Sequence, residues 1–123
     1  MSVEDVRRTP AKIHWEGDSK EVLSGFPRDV KLSLGYSLRR LQSGEFPACE
    51  TRSMVSIGKG VWELKESDER AWYRAVYLTK IGGVIHVLHC FKKESRKTDR
   101  RDVATARARL KQVLNRIQGE KNR

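Results

Sequence analysis

Three residue types on one stretch of this chain could do chemistry on a phosphodiester. Arg74 lies in Trp72-Tyr-Arg-Ala-Val-Tyr-Leu78, and His89, Lys92 and Lys93 lie in Val84-Ile-His-Val-Leu-His-Cys-Phe-Lys-Lys93. Cutting RNA from an internal 2′-OH needs a base for the 2′ proton, a cation for charge growing on the phosphorane, and an acid for the departing 5′ oxygen. Histidine titrates near neutrality and serves either proton role. Arginine grips phosphate oxygens through two N–H groups and stays charged. A lysine crowded by other cations gives up its proton more readily. Trp72 and Phe91 add flat faces on which unpaired bases stack, each worth about 1–3 kcal/mol.

Gly82-Gly83 is the signal that would assemble these groups. Both central positions of a type I′ turn need positive φ, so a Gly-Gly pair between two strand-like runs predicts a tight hairpin. If Ile81 pairs with Val84, Arg74 lies opposite Phe91, Val76 opposite His89 and Trp72 opposite Lys93. Directly paired residues share a sheet face. Arg74, His89 and Lys93 then project together beside Trp72 and Phe91, while Tyr73, Tyr77 and Lys92 project from the other face. Blander readings stand beside this one. His86 falls opposite in face to His89 and reads as a structural histidine, as does His14. Lys92 and Lys93 could simply guard a strand end, and Trp62 and Tyr77 fit a core. Arg74 is hardest to dismiss, because a mid-strand arginine must reach either solvent or an anion.

The elements that must carry these residues follow from pattern. Ile13-His-Trp-Glu-Gly17 suits a short first strand. Asp18-Ser-Lys-Glu21 has capping-box spacing for a helix that Pro27 ends or bends. A second helix spans about 28–43, with Val30, Leu34, Leu38 and Leu41 on one stripe and Gly44 as its stop. Residues 45–52 read as a polar connector. Strand patterns follow at Met54–Ile57, Val61–Lys65 and Trp72–Leu78 before the return strand from Val84. Asp99 would cap a last helix with Val103, Ala106, Leu110, Val113 and Ile117 on its apolar face. The order β-α-α-β-β-β-α predicts an α+β fold, a small antiparallel sheet with N-terminal helices packed on one face and a basic C-terminal helix. The chain reads as a single domain over 1–123, with 1–12 and 119–123 as flexible ends.

Charge is distributed unevenly. Of 26 Lys and Arg and 16 Asp and Glu, residues 92–123 hold 12 and 4, so +8 of the net +10 sits in the last quarter. Such asymmetry points to an anionic surface, nucleic acid first. No run approaches the roughly 18 apolar residues of a membrane span, and Met1-Ser-Val-Glu-Asp lacks a secretory apolar segment. The expected location is the cytoplasm, with no membrane partner. Cys49 and Cys90 are far apart and show no ligand spacing, which argues against a disulfide or zinc site.

Longer motifs carry a resemblance. Phe26-Pro-Arg-Asp-Val-Lys-Leu-Ser-Leu-Gly-Tyr-Ser-Leu38, Leu41-Gln-Ser-Gly-Glu-Phe-Pro47, Ile57-Gly-Lys-Gly-Val-Trp-Glu-Leu-Lys65, Trp72-Tyr-Arg-Ala-Val-Tyr77 and Leu88-His-Cys-Phe-Lys-Lys-Glu-Ser-Arg-Lys-Thr98 together resemble the phage-related HigB branch of the RelE/ParE toxin superfamily. The resemblance spans about residues 13–114. It implies a RelE-like toxin of a type II toxin–antitoxin pair: a ribosome-dependent mRNA endoribonuclease without metal or other cofactor. Its implied partners are the ribosome, mRNA and a helix-turn-helix, HigA-like antitoxin. It implies catalytic roles among Arg74, His89, Lys93 and Lys65, and RNA or ribosome contacts at Lys92, Arg96, Lys97, Arg100, Arg107 and Lys111. Relatives more often carry Arg where Lys65 stands. Asp99 replaces the proline of the usual K-K-x-x-K-T-P run, and no tyrosine follows the basic cluster. Two other readings compete: a ParE-like toxin that inhibits DNA gyrase without cutting RNA, and a non-catalytic basic RNA-binding domain.

Overall fold

A computed structural model describes residues 9–95 and 99–122. The elements in order are strand β1 (Lys12–Trp15), helices α1 (Ser19–Ser24) and α2 (Arg28–Gln42), strands β2 (Glu50–Ser53), β3 (Val61–Ser67), β4 (Trp72–Ile81) and β5 (Val84–Lys93), and helix α3 (Arg100–Lys121). The sheet order is β1-β5-β4-β3-β2. This is an α+β fold of the RelE-like kind, with two departures from the sequence reading. The sheet is mixed, because β1 adds to β5 in parallel, while all other pairs are antiparallel. The helices also occupy both faces. Val30, Leu34 and Leu38 of α2 pack on Leu64, Tyr73, Ala75 and Tyr77. Ala106, Leu110 and Val113 of α3 cover Val61, Val76, Leu88 and Phe91 on the opposite side. With strands apolar on both faces, a single helical layer would leave half the sheet wet.

The boundaries show which local signals prevailed. Gly82 and Gly83 have φ of 57° and 80°, and Ile81 pairs with Val84, so the hairpin corner forms as the sequence requires. Pro27 separates α1 from α2, and Gly44 takes φ of 77° just past the end of α2. The segment Met54–Ile57 is a turn and not a strand, closed by Ile57 N–H donating to the Met54 carbonyl at 2.9 Å. Met54 and Ile57 are buried while Val55 is 74% exposed, an i, i+3 arrangement that strand alternation cannot supply. The strand that pairs with the free edge of β3 is instead the polar run Glu50–Ser53, which begins within the 45–52 stretch whose composition predicts a connector. Ser37 Oγ of α2 accepts from the N–H groups of Ala48 and Cys49, which fixes the entry to this edge strand. Regular structure also reaches into both ends read as flexible: Ala11 is buried, Lys12 belongs to β1, and α3 continues through Lys121. Among the described residues, no helix is long and apolar enough to cross a membrane.

Two glycines mark opposite packing limits. A Cβ on Gly58 would collide with Leu110 of α3, whereas one on Gly35 in mid-α2 meets nothing within 4 Å. Gly58→Ala should therefore destabilise the protein by about 1–3 kcal/mol through overpacking. Gly35→Ala should stabilise it by about 0.5–1 kcal/mol through helix propensity. Urea unfolding of the two variants checks both signs.

Candidate functional site

The hairpin corner and the β3–β4 pairing bring most of the predicted site to one end of the sheet, on the α3 side. Lys65 pairs with Arg74, Arg74 with Phe91, and Trp72 with both Ser67 and Lys93. Val76 pairs with His89, so His89 lies on this face too. Lys92 and Tyr73 pair on the opposite face, as the register demands. Tyr77 is buried there, and Trp62 is 37% exposed rather than core. Beyond Val76 the register shifts by one residue, so that Tyr77 pairs with Val87 and Leu78 with His86. This bulge turns His86 to the α3 face, the same side as His89, which corrects the expectation that the two histidines point apart.

The environment of each cation decides what it can do. Arg74 has no solvent exposure, and its Nη1 donates to Oε1 of Glu63 at 2.9 Å, a carboxylate that is itself fully buried. The anion that a mid-strand arginine must find is therefore internal. His89 Nε2 lies 2.8 Å from Asp102 Oδ1, its ring stacks on Phe91 with centroids 5.1 Å apart, and Arg109 Nη1 stands 3.4 Å from Nδ1. A carboxylate on one nitrogen and a guanidinium on the other suit the Nε2–H tautomer, with Nδ1 accepting. Lys93 Nζ reaches Asp99 at 3.4 Å, and that contact, with the backbone N–H groups that open α3, holds the Asp99 carboxyl below its usual range. Lys65 Nζ is 2.9 Å from Glu50 and 5.5 Å from the centre of the Trp72 ring.

The remaining predicted residues are more dispersed. Lys92 lines an open cleft of about 660 Å³ with Phe26, Pro27, Arg70 and Tyr73. Arg100 and Lys111 are exposed on α3, and Arg107 donates to the Ser56 carbonyl at 2.6 Å, pinning the turn before β3. Arg96 and Lys97 lie outside the described residues. Burial pushes the Cys90 thiol up to about 12, which removes it as a nucleophile at neutral pH.

Sequence reasoning missed the partners rather than the cations. Glu63, Asp102 and Glu50 each hold a predicted site residue, and Arg109 joins Asp18, the Leu88 carbonyl and His89. The Asp18 carboxylate goes to Arg109 at 2.9 Å and makes no cap bond to α1, so the capping box does not form. Gly17, at φ of 54°, leaves the space through which the Arg109 guanidinium passes. A usable signal existed for Glu63 alone: a charged residue between Trp62 and Leu64 that shares a face with Arg74 once β3 and β4 are paired.

A family model described as "Phage derived protein Gp49-like (DUF891)" matches residues 21–111, well over half of the chain. No curated protein matches. The matched stretch takes in β2 to β5, the basic end of the sheet and the first half of α3, and leaves out β1 and the helix end.

Removing one member of a buried pair leaves the other charge uncompensated. Arg74→Ala should cost about 3–5 kcal/mol, while Arg74→Met combined with Glu63→Leu should recover much of that loss. Denaturant unfolding of single and double variants measures it. Loss of activity in Arg74→Ala alone is thus expected to come with loss of fold.

Proposed function

This chain belongs to the Gp49-like family of phage-derived proteins, a family related to RelE-type toxins of toxin–antitoxin systems, and from that premise we propose that it is a HigB-like toxin that cuts mRNA on the ribosome. The observation that carries this reading is the placing of Lys65 and Lys93 on either side of Trp72 at one end of a single sheet face. Their carboxylate partners, Glu50 and Asp99, are 58% and 44% exposed. The lysine side chains themselves are 11% and 22% exposed, so each pair is partly buried, and a phosphate would compete for the ammonium group from the side where the carboxylate now meets solvent. Trp72 would offer its ring to an unpaired base, and the two lysines would offset charge on the phosphorane.

Arg74 and His89 take different parts in this scheme from those the sequence suggested. Arg74, sealed under Glu63, would hold β3 and β4 in the register that aligns Lys65 with Trp72. His89 would hold the first turn of α3 through Asp102, and with it Asp99 and Lys93. The exposed cations Lys92, Arg100 and Lys111 would meet rRNA or mRNA backbone, and a helix-turn-helix, HigA-like antitoxin would neutralise the toxin.

One feature favours a docking toxin of the gyrase-inhibiting kind: Lys65, Arg74, His89 and Lys93 are each already answered by a carboxylate of this chain. Induced expression followed by mapping of mRNA 5′ ends separates the readings. Cuts within translated codons support the nuclease, and intact message with an SOS response supports docking on gyrase.

Each of Lys65→Ala and Lys93→Ala should lower cleavage about 100-fold while shifting stability by less than about 1 kcal/mol. Cleavage that persists unchanged in the folded double variant would remove both lysines from the mechanism. Ribosome co-sedimentation should weaken steeply between 50 and 200 mM salt, by about tenfold or more even for a few phosphate contacts.

A further inference from the structure

We propose that His14, Glu16 and His86 form a binding site for one divalent transition-metal ion of the zinc class, in which the ion replaces the Arg116 guanidinium and fastens the end of α3 to the sheet. The parallel pairing of β1 on β5 sets His14 beside His86, and the bulge after Val76 turns that pair toward α3. Glu16, only 4% exposed, is fixed by its N–H donating to the Val87 carbonyl. The Nδ1 atoms of both histidines converge on one oxygen of this carboxylate, Oε2, at 2.6 and 3.0 Å. The rings stay apart, with centroids 5.5 Å from one another and planes inclined at 58°. The three donors thus come from β1, the residue just after it, and β5, and lie within 4.8 Å of one another.

Donors on a tetrahedral zinc ion, with bonds near 2.0–2.1 Å, are separated by about 3.3 Å. To admit it, the separations from Oε2, now 2.6 Å for His14 and 3.0 Å for His86, must open by about 0.7 and 0.3 Å, the larger shift falling on the exposed His14. Two imidazoles and one carboxylate make the donor set of a zinc-class ion with an open position, and supply too few oxygens for magnesium or calcium. In the metal-bound form each histidine presents its Nδ1 lone pair to the ion and carries its ring proton on Nε2.

The competing cation is Arg116, whose Nη2 donates to both Glu16 oxygens at 2.9 Å. Its side chain is 48% exposed, against 4% for Glu16, so it can leave for solvent. Glu120, one turn further along α3 and lining the same cleft of about 590 Å³, gives the released guanidinium a new i, i+4 partner. His14, Glu16 and Arg116 all lie outside residues 21–111, so the family match does not account for them. The site also departs from the expectation that the chain holds no metal, and it stands apart from the basic end of the sheet.

Titrating ZnCl2 into the full chain, followed by calorimetry and thermal unfolding, tests the proposal. One equivalent should bind and raise the unfolding midpoint, with MgCl2 giving neither effect. Cobalt(II) should give the visible bands of a nitrogen- and oxygen-liganded ion. His14→Ala, at a position 56% exposed and therefore safe for folding, should weaken zinc binding at least tenfold, and Glu16→Gln should abolish it. Arg116→Gln should tighten binding about tenfold by removing the competitor. The proposal is overturned if wild type binds no zinc, or if His14→Ala binds as tightly as wild type. It is equally overturned if Arg116→Gln fails to tighten binding, or if cobalt shows a thiolate charge-transfer band that places the ion on a cysteine.

Discussion

A guanidinium with no access to water must be answered by a carboxylate, and in this protein Glu63 answers Arg74 from the neighbouring strand. The rest of the basic end of the sheet depends on that pair. Side chains alternate along a strand, so sliding β3 by one residue against β4 would send Glu63 to the α2 side and strand a buried charge. The pair therefore forbids the slip. Lys65, two positions beyond Glu63, consequently arrives beside Trp72. A buried ion pair is weak evidence for stability, but it is a strong constraint on alignment, and alignment is what a surface built from three strands needs.

Helix α3 is the second support, and its charges are sorted by face and by end. Most of the C-terminal excess of Lys and Arg looks outward, while Asp99 and Asp102 at its beginning turn inward to Lys93 and His89. Acidic groups also suit that end of a helix, where the unpaired N–H groups carry partial positive charge. Arg109 then reaches back across the sheet edge to Asp18, and Arg116 to Glu16. The helix is thus tied along its length by pairs of alternating polarity, with Ala106, Leu110 and Val113 supplying the apolar contact between them.

Much of this was legible in the sequence, and what was not has physical causes. The Gly82-Gly83 corner, the stripes of α2 and α3, and the register from Trp72 to Val76 follow from local chemistry. The bulge after Val76 does not, because it is set by tertiary packing: the consecutive residues Leu88 and His89 both face α3, and an extra residue in β5 allows it. The parallel placing of β1 is equally non-local. Strand β2 escaped notice because Glu-Thr-Arg-Ser is exposed throughout and shows no alternation. At the candidate site, spacing revealed which cations share a face, but pairing partners come from other elements, and only the folded chain shows that Arg74 and His89 are occupied.

That occupation ranks the cations by how readily they change partner. Exchange of a carboxylate for a phosphate is nearly neutral where both are hydrated, since the ammonium keeps an anion and the released carboxylate regains water. It is prohibitive where the carboxylate is sealed, because Glu63 would keep its charge with nothing to offset it. The two ends of this scale lie only one residue pair apart, with Lys65 opposite Arg74. On the proposed reading, such a surface would offer its lysines to an incoming anion while the sealed Arg74–Glu63 pair keeps the strands beneath them aligned.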